Sequence, residues 1–352
     1  MASASVRLAR RSRADRPSFV AGATAPNPAS LQSAHDLEHA LGAGTPVGVV
    51  APGSIEGLCT AVGVVYLAHS AHRPVRLHGA DACQPALGET LIEVGEDMGL
   101  AYRLLSGFER ATSSTDARRA IYLCQSDSPA RARILMDYIR YGFDHRERLW
   151  NHRSQPTVAD AFDLARTVSN ECEHARQFVR FHRTSAGIYY ARFEPSANVI
   201  PLVMDHFTAR FNTQPFLIHD PRHHVAGVWD GAKTQLVSTK GSAWEEAPCD
   251  AREVQDDRYY QALWKRFYDS IAVEARTNHD LRRHFMPLRF WKNLPEMDPR
   301  LDEEGATART YNVASVPPSF GAPEKKATLG TDTQKRPALP REEQGAGSTS
   351  VA

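Results

Sequence analysis

Five residues in the stretch 194–220 have side chains suited to acid–base or phosphate chemistry: Glu194, His206, Arg210, His219 and Asp220. On a helical wheel of about 100° per residue, Val199, Ile200, Val203, Met204, Phe207 and Phe211 form one apolar arc. His206 and Arg210, four residues apart, fall at the edge of that arc or within it. An unpaired charge on a buried face is strongly unfavourable, so Arg210 needs a partner. His219 and Asp220, at the end of the following strand, are candidates, and Glu194, at the end of the preceding strand, is another. Two readings stay open. The five could line a catalytic pocket that binds phosphate or positions a proton in a hydrolase or lyase reaction on a nucleotide or DNA lesion. They could equally be an internal ion-pair network that pins helix to sheet. His223 and His224 add imidazoles nearby, but no spacing is diagnostic of a metal site, and no metal or cofactor is expected.

Two basic segments suggest a different chemistry. His174, Arg176, Arg180, His182 and Arg183 occur with no acid among them. Arg276, Arg282, Arg283, His284, Arg289 and Lys292 interleave with Phe285, Phe290 and Trp291. Cations between aromatic rings suit phosphates and stacked bases. Nucleic-acid contacts are therefore expected at Arg180, Arg183, Arg276, Arg283, Arg289, Trp291 and Lys292. The plainer alternative is a solvated helix face whose aromatics lie in the core.

The elements that must position these residues follow from local pattern. Residues 45–51 (TPVGVVA) read as a strand, and Ser54 as the N-cap of a helix over 55–68. Residues 72–88 read as irregular and 120–124 (AIYLC) as a strand. Pro129 opens a helix over 129–143, and Thr157 with Asp160 forms a capping-box-like pair ahead of a helix ending near Gln177. Period two then predicts strands in FVRFH and GIYYARF, joined by a turn at 183–187. A helix over 198–211 and strands at 215–219, 224–229 and 234–238 follow. The strongest amphipathic pattern is Tyr260, Leu263, Trp264, Phe267 and Ile271 on a helix running to about Arg276, with a shorter helical piece over 281–294. The fold class expected is α+β: an antiparallel sheet with packed helices and a helical C-terminal portion.

Composition sets the limits. The chain has 352 residues and a formal net charge of +1, so no global field draws it to nucleic acid or membrane. Its five cysteines are scattered, which argues against a disulfide scaffold or a cysteine metal site. Residues 1–45, with Arg7, Arg10, Arg11, Arg13 and Arg16 among Ala and Ser, read as a disordered tail or basic arm, and 297–352 as a second tail. The folded unit is expected over 46–296, with an early α/β portion at 46–150 and a sheet-and-helix portion at 151–296. No apolar run approaches a membrane span, and a cytoplasmic location is expected. Phosphate-binding glycine loops, the zinc helix H-E-x-x-H and the G-x-S-x-G elbow are all absent from the sequence.

Several long stretches resemble an uncharacterised bacterial family whose members are labelled DNA metabolism or DNA repair proteins. They are FVRFHRTSAGIYYARFEPSANVIPLVMDHFTARF, FLIHD, YYQALWKRFYDSIAVEARTN and RRHFMPLRFWKNLPE. The resemblance runs from about Val47 to Glu296 and includes SIEGLCTAVGVVYLAH and ILMDYIRYGF. It implies a role in DNA metabolism beside a radical SAM protein, with single-stranded or damaged DNA as a ligand. A uracil-DNA glycosylase-like protein is a further partner, since some members are fused to such a domain. This chain lacks the cysteine loop of a radical SAM enzyme, so that chemistry would belong to the partner. A histidine precedes the FVRF strand in relatives; here the local sequence is Glu171-Cys172-Glu173-His174, one position shifted. A protein-docking adaptor, using the aromatic helix at 260–271 without DNA contact, is a further reading.

Overall fold

Two sheets of different construction flank one long helix. The computed structural model describes residues 25–184, 187–241, 255–272 and 276–301. Of the tails expected over 1–45 and 297–352, residues 1–24 and 302–352 lie outside them, and the expected start of the second at 297 is corrected by Leu301, which is buried. The expectation of a tail through residue 45 is corrected by α1, Pro28–Gly42. Asn27 caps it by accepting from Ser30 N at 2.7 Å, and Ala34, Leu37 and Leu41 bury one side. Each large aliphatic side chain so buried stabilises by about 1.5–3 kcal/mol, enough to hold a helix whose sequence is otherwise Ala- and Ser-rich.

The first sheet is parallel, in the order β2-β1-β3, with β1 Val47–Ala51, β2 Val75–Gly79 and β3 Thr90–Glu93. β1 feeds α2, Ile55–Leu67, whose N-cap is Ser54 as expected; its side chain accepts from Gly57 N at 3.0 Å. β2 occupies part of the stretch read as irregular, where Val75 and Leu77 point inward and Arg76 outward. Next come α3 (Met98–Ala111), α4 (Ser114–Cys124) and α5 (Arg131–His145). Residues 120–124 are therefore helix, not strand. Ala117, Ala120, Ile121 and Cys124 are buried at helical spacing, and Ser113 caps the start. A five-residue apolar run fits either period, and here the preceding turn decides it.

A short 3₁₀ turn, Leu149–His152, leads into α6, Pro156–Phe178. No Thr157–Asp160 capping box forms: Pro156 opens the helix and Thr157 already lies inside it. Ala161 and Ala165 of α6 belong to the first hydrophobic core; Val168, Cys172, Ala175 and Phe178 belong to the second. One helix thus serves both.

The second sheet has the order β4-β5-β6-β7-β8: His182–Arg183, Tyr189–Arg192, Phe216–Asp220, Val225–Trp229 and Thr234–Ser238. Three of its pairings are antiparallel; β5 and β6 run parallel. The reason is α7, Ile200–Arg210, which carries the chain back across the sheet so that β6 starts from the same end as β5. α8 (Gln255–Ile271), α9 (His279–Phe285) and α10 (Leu288–Trp291) complete the helical C-terminal portion. The apolar stripe of α8 faces outward: Tyr260, Trp264, Phe267 and Ile271 are each 43–59% exposed, while Ala262 and Lys265 are buried. Among the described residues, no helix is long and apolar enough to cross a membrane.

Candidate nucleic-acid interface

The five acid–base residues are divided between the two faces of the second sheet. Ile218 is paired with Gly227, and a Cβ on Gly227 would lie 2.3 Å from Met204 Sδ and 2.9 Å from Ile200 Cγ2 of α7. That face of the sheet therefore carries α7. His219, the next residue of β6, points to the other face. There its Nδ1 meets Tyr190 Oη at 3.2 Å, while its Nε2 is buried without a hydrogen-bond partner. Burial first, then the nearby Arg192 guanidinium, lowers the His219 pKa, so the ring is neutral near pH 7. Glu194 lies on this side too. It accepts from Arg192 Nε at 2.8 Å and Lys292 Nζ at 2.7 Å, and these bonds outweigh burial to lower its pKa.

Asp220 points back toward the helix side and is fully buried. It accepts from the backbone N–H groups of Arg222 and His223, and its Oδ2 lies 2.5 Å from His223 Nδ1. His223 Nε2 is 2.7 Å from Asp127 Oδ1. Burial alone would lower the His223 pKa, but the bonds to Asp127 and Asp220 outweigh it and raise the value to about 9. The imidazolium is thus a charged pin joining the β6–β7 turn to the loop after α4. With both ring nitrogens occupied, it has no free lone pair to act as a base. Arg210 is exposed at the end of α7, its guanidinium 5.7 Å from the ring of Phe211, and His206 is half-buried on another side. The single pocket expected from the wheel does not form.

The C-terminal cations are mostly spoken for. Arg180 bonds Glu296 at 2.7 Å, Arg289 bonds Glu171, and Lys292 bonds Glu194. Glu171 also accepts from Ser196 N at 2.9 Å and lies 3.2 Å from His174 Nδ1; together these bonds outweigh burial and lower its pKa. Phe290 is buried and stacks on Phe193 at 4.7 Å. Trp291 donates to Met286 O at 2.9 Å with Arg282 over its ring, and Arg283 sits 3.8 Å from Asp280. Only Arg183 and Arg276 of the seven expected contacts are exposed without a carboxylate among the described residues. Part of the segment is a strap: Phe290 and Trp291 pack into the second core, and Arg289 and Lys292 neutralise Glu171 and Glu194, while Phe285 stays exposed.

A cleft of about 1300 Å³ between α4, α6, α7 and the Leu149–His152 turn gathers a different set. Arg118, Arg119, Arg153, Arg166 and Arg176 line it with the aromatic rings of Tyr122, Trp150 and Phe162. Asp163, Glu173, Asp205 and His206 also line it. Arg119 is paired with buried Asp116, Arg166 with Asp163 and Arg176 with Glu173, so with Asp116 counted the wall sets five arginines against four carboxylates, a small positive excess. Trp150 is 56% exposed, an unusual state for a large aromatic ring. The sequence hides this site because Arg118 and Arg119 precede a short apolar run, 120–124, that fits a strand as well as a helix. The available signal was the stretch 146–153, RERLWNHR, as basic and aromatic as the C-terminal one. Among the described residues, no group of three or more His, Cys, Asp or Glu side chains could hold a metal ion.

No curated protein matches the chain. A solved structure described as a DHH domain, a member of the s1p family of ribosomal proteins, aligns with a TM-score of 0.35 and 11% identity, covering 61% of this chain and 82% of that one. Residues 129–296 match the family model described as a domain of unknown function (DUF4130), so that segment is similar to an uncharacterised family.

Proposed function

We propose that the protein binds nucleic acid in the arginine-lined cleft and acts in DNA metabolism as a binding component. The observation that carries this reading is the convergence of five arginines, from α4, the Leu149–His152 turn region and α6, around the exposed ring of Trp150 and the half-buried rings of Tyr122 and Phe162. Guanidinium groups suit phosphate oxygens, and aromatic faces suit bases. The local carboxylates moderate the field, so the expected binding is salt-sensitive and of modest strength. Arg153→Gln combined with Arg166→Gln in the full chain should weaken binding of a labelled oligonucleotide. On a single strand it should also reduce the slope of log K against log salt by about 0.7 for each phosphate no longer neutralised. Unchanged affinity and slope would refute the reading.

The outward stripe of α8 supports a second activity of the same protein. Tyr260, Leu263, Trp264, Phe267 and Ile271 form a contiguous apolar helix face, and such a face marks a docking surface for another protein. The resemblance to DNA metabolism proteins names a radical SAM protein as the kind of partner. Co-expression and pull-down with such a protein should succeed for the parent chain and fail for Phe267→Glu.

A further inference from the structure

The cleft wall has an order that charge alone does not require. Arg153 lies over the Trp150 ring at 4.2 Å; Trp150 stacks with Phe162 at 6.2 Å and 29°; Arg119 lies over the other partner, Phe162, at 4.0 Å. In order of contact the series runs cation, indole, phenyl, cation. Its inner end is fixed. Asp116, 1% exposed, bonds Arg119 at 2.7 Å, Tyr138 Oη at 3.1 Å and Leu149 N at 3.2 Å. The last of these bonds holds the backbone beside Trp150. Its outer end is open. Arg153 is exposed and forms no ion pair with a described carboxylate, so only a cation–π contact holds it on the indole.

Resting on the nucleic-acid reading above, we infer that the outer face of Trp150 is a stacking site for one unpaired base, which makes the ligand a single strand rather than a duplex. Arg153 covers this face in the free protein. A base replaces it there, and the released guanidinium turns to the adjacent phosphate. Bases inside a duplex are already stacked on both faces and cannot reach such a site without being extruded. Phe162 and Arg119, anchored through Asp116, give the indole a rigid backing, which lowers the ordering cost of stacking. Asp116 is a positioning residue in this arrangement and does not touch the base.

The test compares the full chain with Trp150→Leu, Trp150→Tyr and the Arg153→Gln/Arg166→Gln double variant. The probes are labelled oligo(dA), the same strand annealed to its complement, and an abasic strand of equal length. Trp150→Leu should weaken oligo(dA) binding about tenfold, within the range for loss of one stacked base, and leave duplex and abasic binding within about twofold. Trp150→Tyr should keep most of the affinity. Oligo(dA) should quench tryptophan emission in the parent and not in Trp150→Tyr, a readout independent of any change in folding. If Trp150→Leu binds all three probes like the parent, or loses all three equally, the stacking site is refuted. If the double arginine variant still weakens every probe in that case, the nucleic-acid reading stands without it. If no probe binds the parent, both fall.

Discussion

His223 shows how one side chain ties the fold to pH. It is held between Asp220 and Asp127 with its pKa raised from 6.5 to about 9. The folded state binds this proton more tightly than the unfolded chain does. The stability it contributes is therefore complete below about pH 6.5 and is lost as pH rises toward about 9. A shift of this size corresponds to something on the order of 3 kcal/mol. Chemical denaturation of the parent should show that alkaline decline, and His223→Gln should be less stable near neutrality with a flatter profile above it. His219 acts in the opposite sense. Burial favours its neutral form, so its contribution is present above about 6.5 and lost as pH falls below that value. His219→Gln should soften the acid limb of the same profile.

At the scale of elements, close packing sets the clearest expectations. Gly227 lies directly beneath α7, and Gly227→Ala would push its methyl into Ile200 and Met204. It should destabilise by about 1–3 kcal/mol in a thermal melt, because overpacking shifts helix or sheet. An unchanged melting temperature would mean that α7 does not press on β7 as described. Phe267→Glu on the outward face of α8 should leave the melt unchanged, as its ring is 54% exposed. Much of this layer was legible beforehand. Ser54 as a cap, the helix over Ile200–Arg210 and the strands from Phe216 to Ser238 all follow from short-range pattern. The short run at 120–124 did not, since helix and strand periods agree over so few residues. Nor did the outward stripe of α8: amphipathicity shows that a helix has an apolar face, not what covers it. The side toward which His219 points needed the register of β6 against β7, which no local pattern supplies.

Across the whole molecule, the ion pairs that redefine the site join distant parts of the chain. Arg180 and Glu296 are 116 positions apart, and Arg289 and Glu171 are 118 apart. A reading of neighbours sees two basic segments; the fold turns them into a strap that neutralises the carboxylates of Glu171, Glu194 and Glu296. Conversely, Arg118 and Arg119, Arg153, and Arg166 and Arg176 are separate in sequence and meet in one cleft where α4 and α6 pass α7. The central claim is that this cleft, not the strap, receives nucleic acid. One measurement tests it most directly: salt-titrated binding of a labelled single strand to two double variants, each melted in parallel. Arg153→Gln/Arg166→Gln should lose affinity and salt dependence while keeping its melting temperature. Arg180→Gln/Arg289→Gln should bind within about twofold of the parent yet lose about 1–3 kcal/mol of stability, because buried carboxylates lose their donors. The opposite pattern, with the strap variant losing binding and the cleft variant keeping it, would contradict the account.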